Sequence, residues 1–126
     1  MDKEAFDRGL RIRREMLGPE MADNEINNAT EFDRPLQELV TAYCFGEVWG
    51  RSDLSRKTRS MLTIAMLMAL NRQGPLKGHF KGALNNGVTK DEIREIILHG
   101  AIYCGVAAAN EATRIAKEAF REAGVA

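Results

Sequence analysis

The chain of 126 residues offers few groups that react near neutral pH: two histidines, His79 and His99, and two cysteines, Cys44 and Cys104. His79 stands beside an apolar helical stripe of Leu76, Phe80, Ala83 and Leu84. An imidazole at the edge of a buried face titrates near neutral pH, and it can donate a proton or, as a cation, hold a carboxylate. A half-buried structural histidine fits the same pattern. His99 points further from the stripe of its own helix and reads more simply as structural. The cysteines form no Cys-x-x-Cys pair, and with so few histidines they give neither a metal-ligand spacing nor a disulfide framework. Both read as small apolar core residues. No metal or cofactor site is expected.

Glu47 is the most informative acid. On a regular helix it shares a stripe with Leu36, Val40 and Tyr43. A carboxylate facing a core must be paired or protonated, and a raised pKa suits acid/base work. The plain alternative is that the helix stops at Gly46 and Glu47 is solvated. Arg51, Arg56, Lys57 and Arg59 gather at the start of the next helix. Cationic side chains at a helix N-terminus suit an anionic substrate, and a solvated charged face explains most of them equally well. Arg59 is the better candidate, because its stripe continues through Thr63 and Met66. Trp49 can wall a pocket or pack in a core. Asn85, Asn86 and Gly87 read as a helix C-cap and turn.

The elements that must position these groups are all helices. No sustained period-2 alternation is present, and helical periodicity recurs. The pattern predicts six helices in a single domain over 1–126. The first covers about Lys3 to Leu17, with Phe6, Leu10, Arg13, Met16 and Leu17 on one side, and Gly18 and Pro19 end it. Ala22 to Thr30 reads as a loop. The second helix covers about Arg34 to Glu47, with Leu36, Leu39, Val40 and Tyr43 as its apolar stripe. The third starts near Ser55 and is apolar nearly all round through Leu70, as a buried central helix would be. The fourth starts around Pro75 and runs to about Asn85, with Gly87 beyond it. Thr89 and Glu92 form a capping box for the fifth, which turns Ile93, Ile96, Ile97, Ala101 and Cys104 inward. The last runs from about Ala107 to Ala123 on a small face of Ala108, Ala112, Ile115, Ala116 and Ala119. Such alanine-rich faces, with exposed methionines, suggest association between subunits.

Composition excludes several classes. Lys and Arg total 18 against 18 Asp and Glu, so no overall charge favours nucleic acid. The longest apolar run, Met61 to Leu70, is too short to span a bilayer, which takes roughly 20 residues. The charged N-terminus has no apolar signal region, and the expected compartment is the cytoplasm.

Four blocks then carry a family resemblance. Gln37 to Thr41 with Gly46 to Arg51 is similar to the second-helix signature of γ-carboxymuconolactone decarboxylases. Thr58 to Ala65 resembles their central helix. His79 with Asn85 to Thr89 and Asp91 to Ile93 resembles the next block, and Ala101 to Val106 with Ala108 to Asn110 the last. The blocks keep the family's order from about Phe32 to Ala119. The family usually has Pro where this chain has Ala107, which affects the local helix start. The wider superfamily includes alkylhydroperoxidase-like proteins with Cys-x-x-Cys before a histidine. Here His79 is kept, but Arg72 and Pro75 stand at the cysteine positions, so that thiol mechanism is unavailable.

The resemblance implies an oligomeric, alkylhydroperoxidase-like orthogonal six-helix bundle, a homo-oligomer built on trimers, with a hexamer expected. It implies a cofactor-free decarboxylase that converts 4-carboxymuconolactone to 3-oxoadipate enol-lactone in protocatechuate catabolism. The partner is then a small anionic lactone, with no nucleic acid and no membrane. It further implies His79 and Glu47 as catalytic residues, His79 as proton donor or dienolate stabiliser and Glu47 orienting it or relaying the proton. Arg51 or Arg59 would anchor the substrate carboxylate, and Trp49 and Tyr103 would wall an apolar pocket. Two other classes stay open at this stage: a peroxide or thiol oxidoreductase using Cys44 and Cys104, and a non-catalytic helical assembly module.

Overall fold

A computed structural model describes residues 2–126. Among the described residues all regular structure is helical, as expected, but there are seven α-helices and one π-helix rather than six helices. The chain forms two compact units, one ending at Arg56 and the other spanning Lys57–Ala126.

The first unit opens with α1, Lys3–Leu17. The Asp2 carboxylate caps it, accepting from the backbone N–H of Glu4 at 2.9 Å and of Ala5 at 3.3 Å. Its buried face is Ala5, Gly9, Ile12, Arg13 and Met16, while the expected Phe6, Leu10 and Leu17 are only partly buried. The small residues win because α1 packs almost backbone to backbone on the segment that follows. A Cβ at Gly9 would fall 1.7 Å from the Thr41 carbonyl oxygen, and one at Gly46 would fall 2.5 Å from that of Ala5.

Gly18, at φ +91°, turns the chain, and α2 follows at once over Pro19–Asn27 where a loop was expected. Pro19 at the first helical position both ends one helix and starts the next. The segment has no apolar stripe, since only Ala22 is buried. After a turn closed by Asp33 onto Thr30 come α3, Arg34–Leu39, and then the π-helix, Val40–Val48. The wider π turn, with the Trp49 N–H donating back to the Cys44 carbonyl at 2.9 Å, breaks the 3.6-residue register. The expected stripe is mostly outside: Leu36 and Leu39, on α3, and Tyr43 are exposed, while Val40 is partly buried against the core. Thr41, Ala42, Phe45, Gly46 and Trp49 are buried instead. Ile12, Met16, Phe45 and Trp49 form the core of this unit.

The second unit takes in α4 (Arg56–Ala69), α5 (Gln73–Asn85), α6 (Lys90–Tyr103) and α7 (Val106–Glu122). The Thr89–Glu92 capping box is present in full. Gly87 at φ +93° and Gly105 at φ +101° make the turns before α6 and α7, so α7 starts in place without the proline. The alanine face of α7 is buried as expected, with Ala109 in place of Ala108. Its partners include Ile64, Leu76, Phe80 and Ile93. The prediction for α4 is overturned. Only Ser60, Ile64 and Met68 are buried, while Leu62 and Met66 are exposed, because an all-apolar helix finds cover on one side only. Both cysteines are free and exposed rather than in a core.

The glycine contacts differ in kind. Gly9 meets backbone, which cannot yield, whereas a Cβ at Gly100 would meet the flexible end of Met68 at 1.9 Å. Gly9→Ala is expected to destabilise the protein by about 3 kcal/mol, and Gly100→Ala by no more than about 1 kcal/mol, since alanine's helix propensity offsets the repacking. Urea denaturation of the two variants measures the difference; equal midpoints would contradict the backbone contact.

Candidate active site

In the first unit, the π-helix presents Glu47 outward, not to a core. Its carboxylate is held by α1: Arg8 donates from Nη2 to Glu47 Oε1 at 3.1 Å and from Nε to the Gly46 carbonyl at 3.0 Å. One side chain thus holds both the end of the π-helix and the acid on it. Trp49 packs on Phe45, ring centroids 6.3 Å apart, and is 7% exposed, so of its two readings the structure shows the core one. Arg51 follows the π-helix, exposed, with its guanidinium 3.6 Å from Asp53.

Arg13 is a buried cation that makes no ion pair among the described residues, and its Nε has no hydrogen-bond partner. Nη1 donates to Gln37 Oε1 and to Thr41 Oγ1, both at 3.1 Å, and the guanidinium lies 5.2 Å from the centre of the Phe45 ring. Burial lowers its pKa from the ordinary value. These bonds clamp α1 to α3 and the π-helix.

In the second unit, the basic residues at the start of α4 divide by partner. Lys57 pairs with Glu92 at 3.1 Å. Arg59 makes no ion pair among the described residues, and its Nε is buried with no hydrogen-bond partner. His79, on α5, is half-buried and makes no hydrogen bond among the described residues. Burial holds its pKa below the ordinary 6.5, so the ring is neutral at pH 7. Nearby in sequence, Asn86 Nδ2 donates to Ser60 Oγ at 3.0 Å and ties the end of α5 to α4. Tyr103, at the end of α6, is exposed, and its ring lies 4.8 Å from that of His99. It lines a cavity of about 480 Å³ between α4 and α6 that holds none of Glu47, Arg51, Arg59 or His79. No group of three or more metal-ligating side chains occurs among the described residues.

Sequence reasoning missed Arg8 and the isolation of Arg59. Arg8 and Glu47 are 39 residues apart, so no local spacing links them. Arg13 stood visibly on the apolar side of α1, a signal that it is buried.

The sequence profile of the Carboxymuconolactone decarboxylase family matches residues 34–118. The 4-carboxymuconolactone decarboxylase of Acinetobacter baylyi is 41% identical over 125 residues, 99% of this chain and 93% of that one. The nitrosuccinic acid decarboxylase of Metarhizium robertsii is 41% identical over 122 residues, 97% of this chain and 85% of that one. Peroxisomal protein 2 of Schizosaccharomyces pombe is 33% identical over 75 residues, 56% of this chain and 35% of that protein.

The His79 environment makes stability depend on pH. Below 6.5 an unfolded chain protonates this ring while the folded one resists it. The unfolded state then binds more protons, and stability is lost as the pH is lowered through that window. Replacing His79 with Gln should flatten the part of the loss between pH 7.5 and about 5 that this ring causes. Denaturation midpoints at the two pH values test it; identical pH dependence in both proteins would refute the assignment.

Proposed function

The chain belongs to the carboxymuconolactone decarboxylase family and is a decarboxylase, and from that premise we propose that it converts 4-carboxymuconolactone to 3-oxoadipate enol-lactone without a cofactor. The observation that carries this reading is the 41% identity to a decarboxylase of that name, over 93% of its length.

The proposed chemistry asks little of the protein. The leaving carboxylate sits on the γ-carbon of an α,β-unsaturated lactone. As the C–C bond breaks, its electron pair passes through the double bond to the lactone carbonyl, giving a dienolate and CO2. Protonation of the α-carbon completes the product. Arg59 is the preferred anchor for the retained carboxymethyl group, supported by its missing counter-ion, with Arg51 the alternative. The neutral His79 offers an N–H to the developing dienolate oxygen. Glu47, held by Arg8, is the proton relay. Tyr103 and Trp49 are assigned only an apolar surround.

The alkylhydroperoxidase-like bundle, a trimer-based hexamer and a cytoplasmic location belong to the same reading. The oligomer is supported by exposed apolar side chains on α4 and α6, among them Met66, Ile102 and Tyr103. No helix of the described residues is long and apolar enough to cross a membrane. The family match runs through both compact units, which supports treating the chain as one functional domain.

The second relative is named for nitrosuccinic acid. That acid and the lactone share a pattern: both are succinates whose departing carboxylate sits on a carbon joined to an electron sink. A nitro group accepts the electron pair directly, and the lactone accepts it through the double bond.

His79→Ala and Glu47→Gln should each lower kcat on the lactone by about 10² to 10⁴, the usual worth of a positioned acid or base. Near-wild-type turnover in both would sink the residue assignment. If recognition rests on the carboxymethyl group and the sink, 2-nitrosuccinate should also lose CO2, with kcat/KM reduced by about a hundredfold. 2-Methylsuccinate, which has no sink, should be inert. Following both acids by proton NMR decides it, and turnover of the methyl compound would contradict the mechanism.

A further inference from the structure

Between α6 and α7, wholly within the second unit, lies a cavity of about 560 Å³ that contains none of the residues assigned to decarboxylation. Pockets of this size hold small molecules. Its floor is apolar: Ile93 and Ala116 are buried, and Ile97 and Phe120 partly so. Its rim is cationic. Arg94 stands on α6, while Lys117 and Arg121, four residues apart, share one edge of α7. Lys117 and Arg121 make no ion pair among the described residues. Asp91 is the acidic side chain in the lining, and it lies 3.6 Å from Arg94. Lys90 is already engaged, donating to the Ala126 main-chain oxygen at 2.7 Å and lying 5.2 Å from the centre of the Phe120 ring. On a chain of zero formal net charge this is a local positive excess over an apolar floor.

We propose that the groove binds a medium-chain fatty-acid anion, its alkyl chain on the Ile93–Ala116 floor and its carboxylate among Lys117, Arg121 and Arg94. Charge complementarity selects this occupant. A compact dianion such as the lactone leaves the floor uncovered. An apolar helix from a second copy would bury Lys117 and Arg121 without acids, at a desolvation cost that nothing offsets. An amphipathic carboxylate satisfies floor and rim together.

The test is calorimetric titration of the full chain with decanoate below its micelle concentration. One saturable site per chain is expected. Affinity should rise from octanoate to decanoate by about two- to fourfold per methylene. The double variant Lys117→Gln/Arg121→Gln should bind about tenfold more weakly, the sum of two partly screened ion pairs. Both side chains are exposed, so the variant should fold. Arg59→Gln should leave decanoate affinity unchanged. No saturable binding, no dependence on chain length, or an unaffected double variant overturns the proposal. Loss of binding in Arg59→Gln also overturns it, because the acid then sits in the catalytic site. So does a double variant that sediments as a smaller species without ligand, because the groove then holds a second copy.

Discussion

The first unit depends on one constraint: α1 must approach the π-helix with no side chain between the two backbones. Gly9 and Gly46 make that possible, and any Cβ at either position runs into a carbonyl. Everything beside the contact is placed by it. Ala5 continues the thin stripe towards one end, and Ile12 and Met16 thicken it towards Phe45 and Trp49 at the other. Arg8 and Arg13 flank the stripe and do different work. Arg8 stays half in solvent and reaches the Gly46 carbonyl and Glu47. Arg13 goes under and spends its hydrogen bonds on Gln37 and Thr41. A buried guanidinium without a carboxylate is costly, and two hydrogen bonds and the face of Phe45 offset only part of that cost. What the arrangement secures is the register of a π-helix, a form with poorer hydrogen-bond geometry than an α-helix. The acid on its outer face is thereby fixed to a rigid neighbour.

The second unit has an incompletely satisfied cation of its own. Its core is ordinary, and α6 has a full capping box, but the buried Nε of Arg59 lacks a partner. Native structures pair nearly all buried polar atoms, and the exceptions call for a reason. Arg59 Nε, on α4, is such an exception, as is Arg13 Nε in the first unit; His79, on α5, is half-buried and makes no hydrogen bond among the described residues. A carboxylate ligand would supply what the guanidinium lacks. A neutral imidazole, by contrast, is stable in a half-buried place because it carries no charge to desolvate.

What could be read from the sequence was local. Thr89 and Glu92 lie three residues apart, so the capping box was visible without any knowledge of the fold. Gly87 and the alanine face of α7 were legible for the same reason. The π-helix was not, because a stripe drawn at 3.6 residues per turn drifts off a wider helix, and Tyr43 and Glu47 moved from core to surface with it. Nor was α2, where Gly18 and Pro19 served as both stop and start. The apolar run in α4 told composition but not cover, so Met66 looked buried and is exposed. Of the site, the half-burial of His79 followed from its place beside Leu76 and Phe80. The hold of Arg8 on Glu47 did not, since it is a contact made by folding.

The protonation state of His79 bears directly on how CO2 could leave. A permanent cation beside the departing carboxylate would stabilise the ground state, in which the charge is concentrated there, more than the transition state, in which it is spreading into the lactone. Binding that favours the ground state slows the chemical step. A ring kept neutral by burial avoids that penalty. On the proposed reading, fixed positive charge is then best used on the carboxymethyl group, which keeps its charge throughout and so serves for binding. An arginine suits that role, because its charge does not depend on pH in the physiological range. The histidine can then meet charge only as it arrives at the dienolate oxygen. The two groups left unpartnered in the second unit differ in the way such a division of labour requires: one is a permanent cation short of an anion, and the other is a neutral donor whose charge can change.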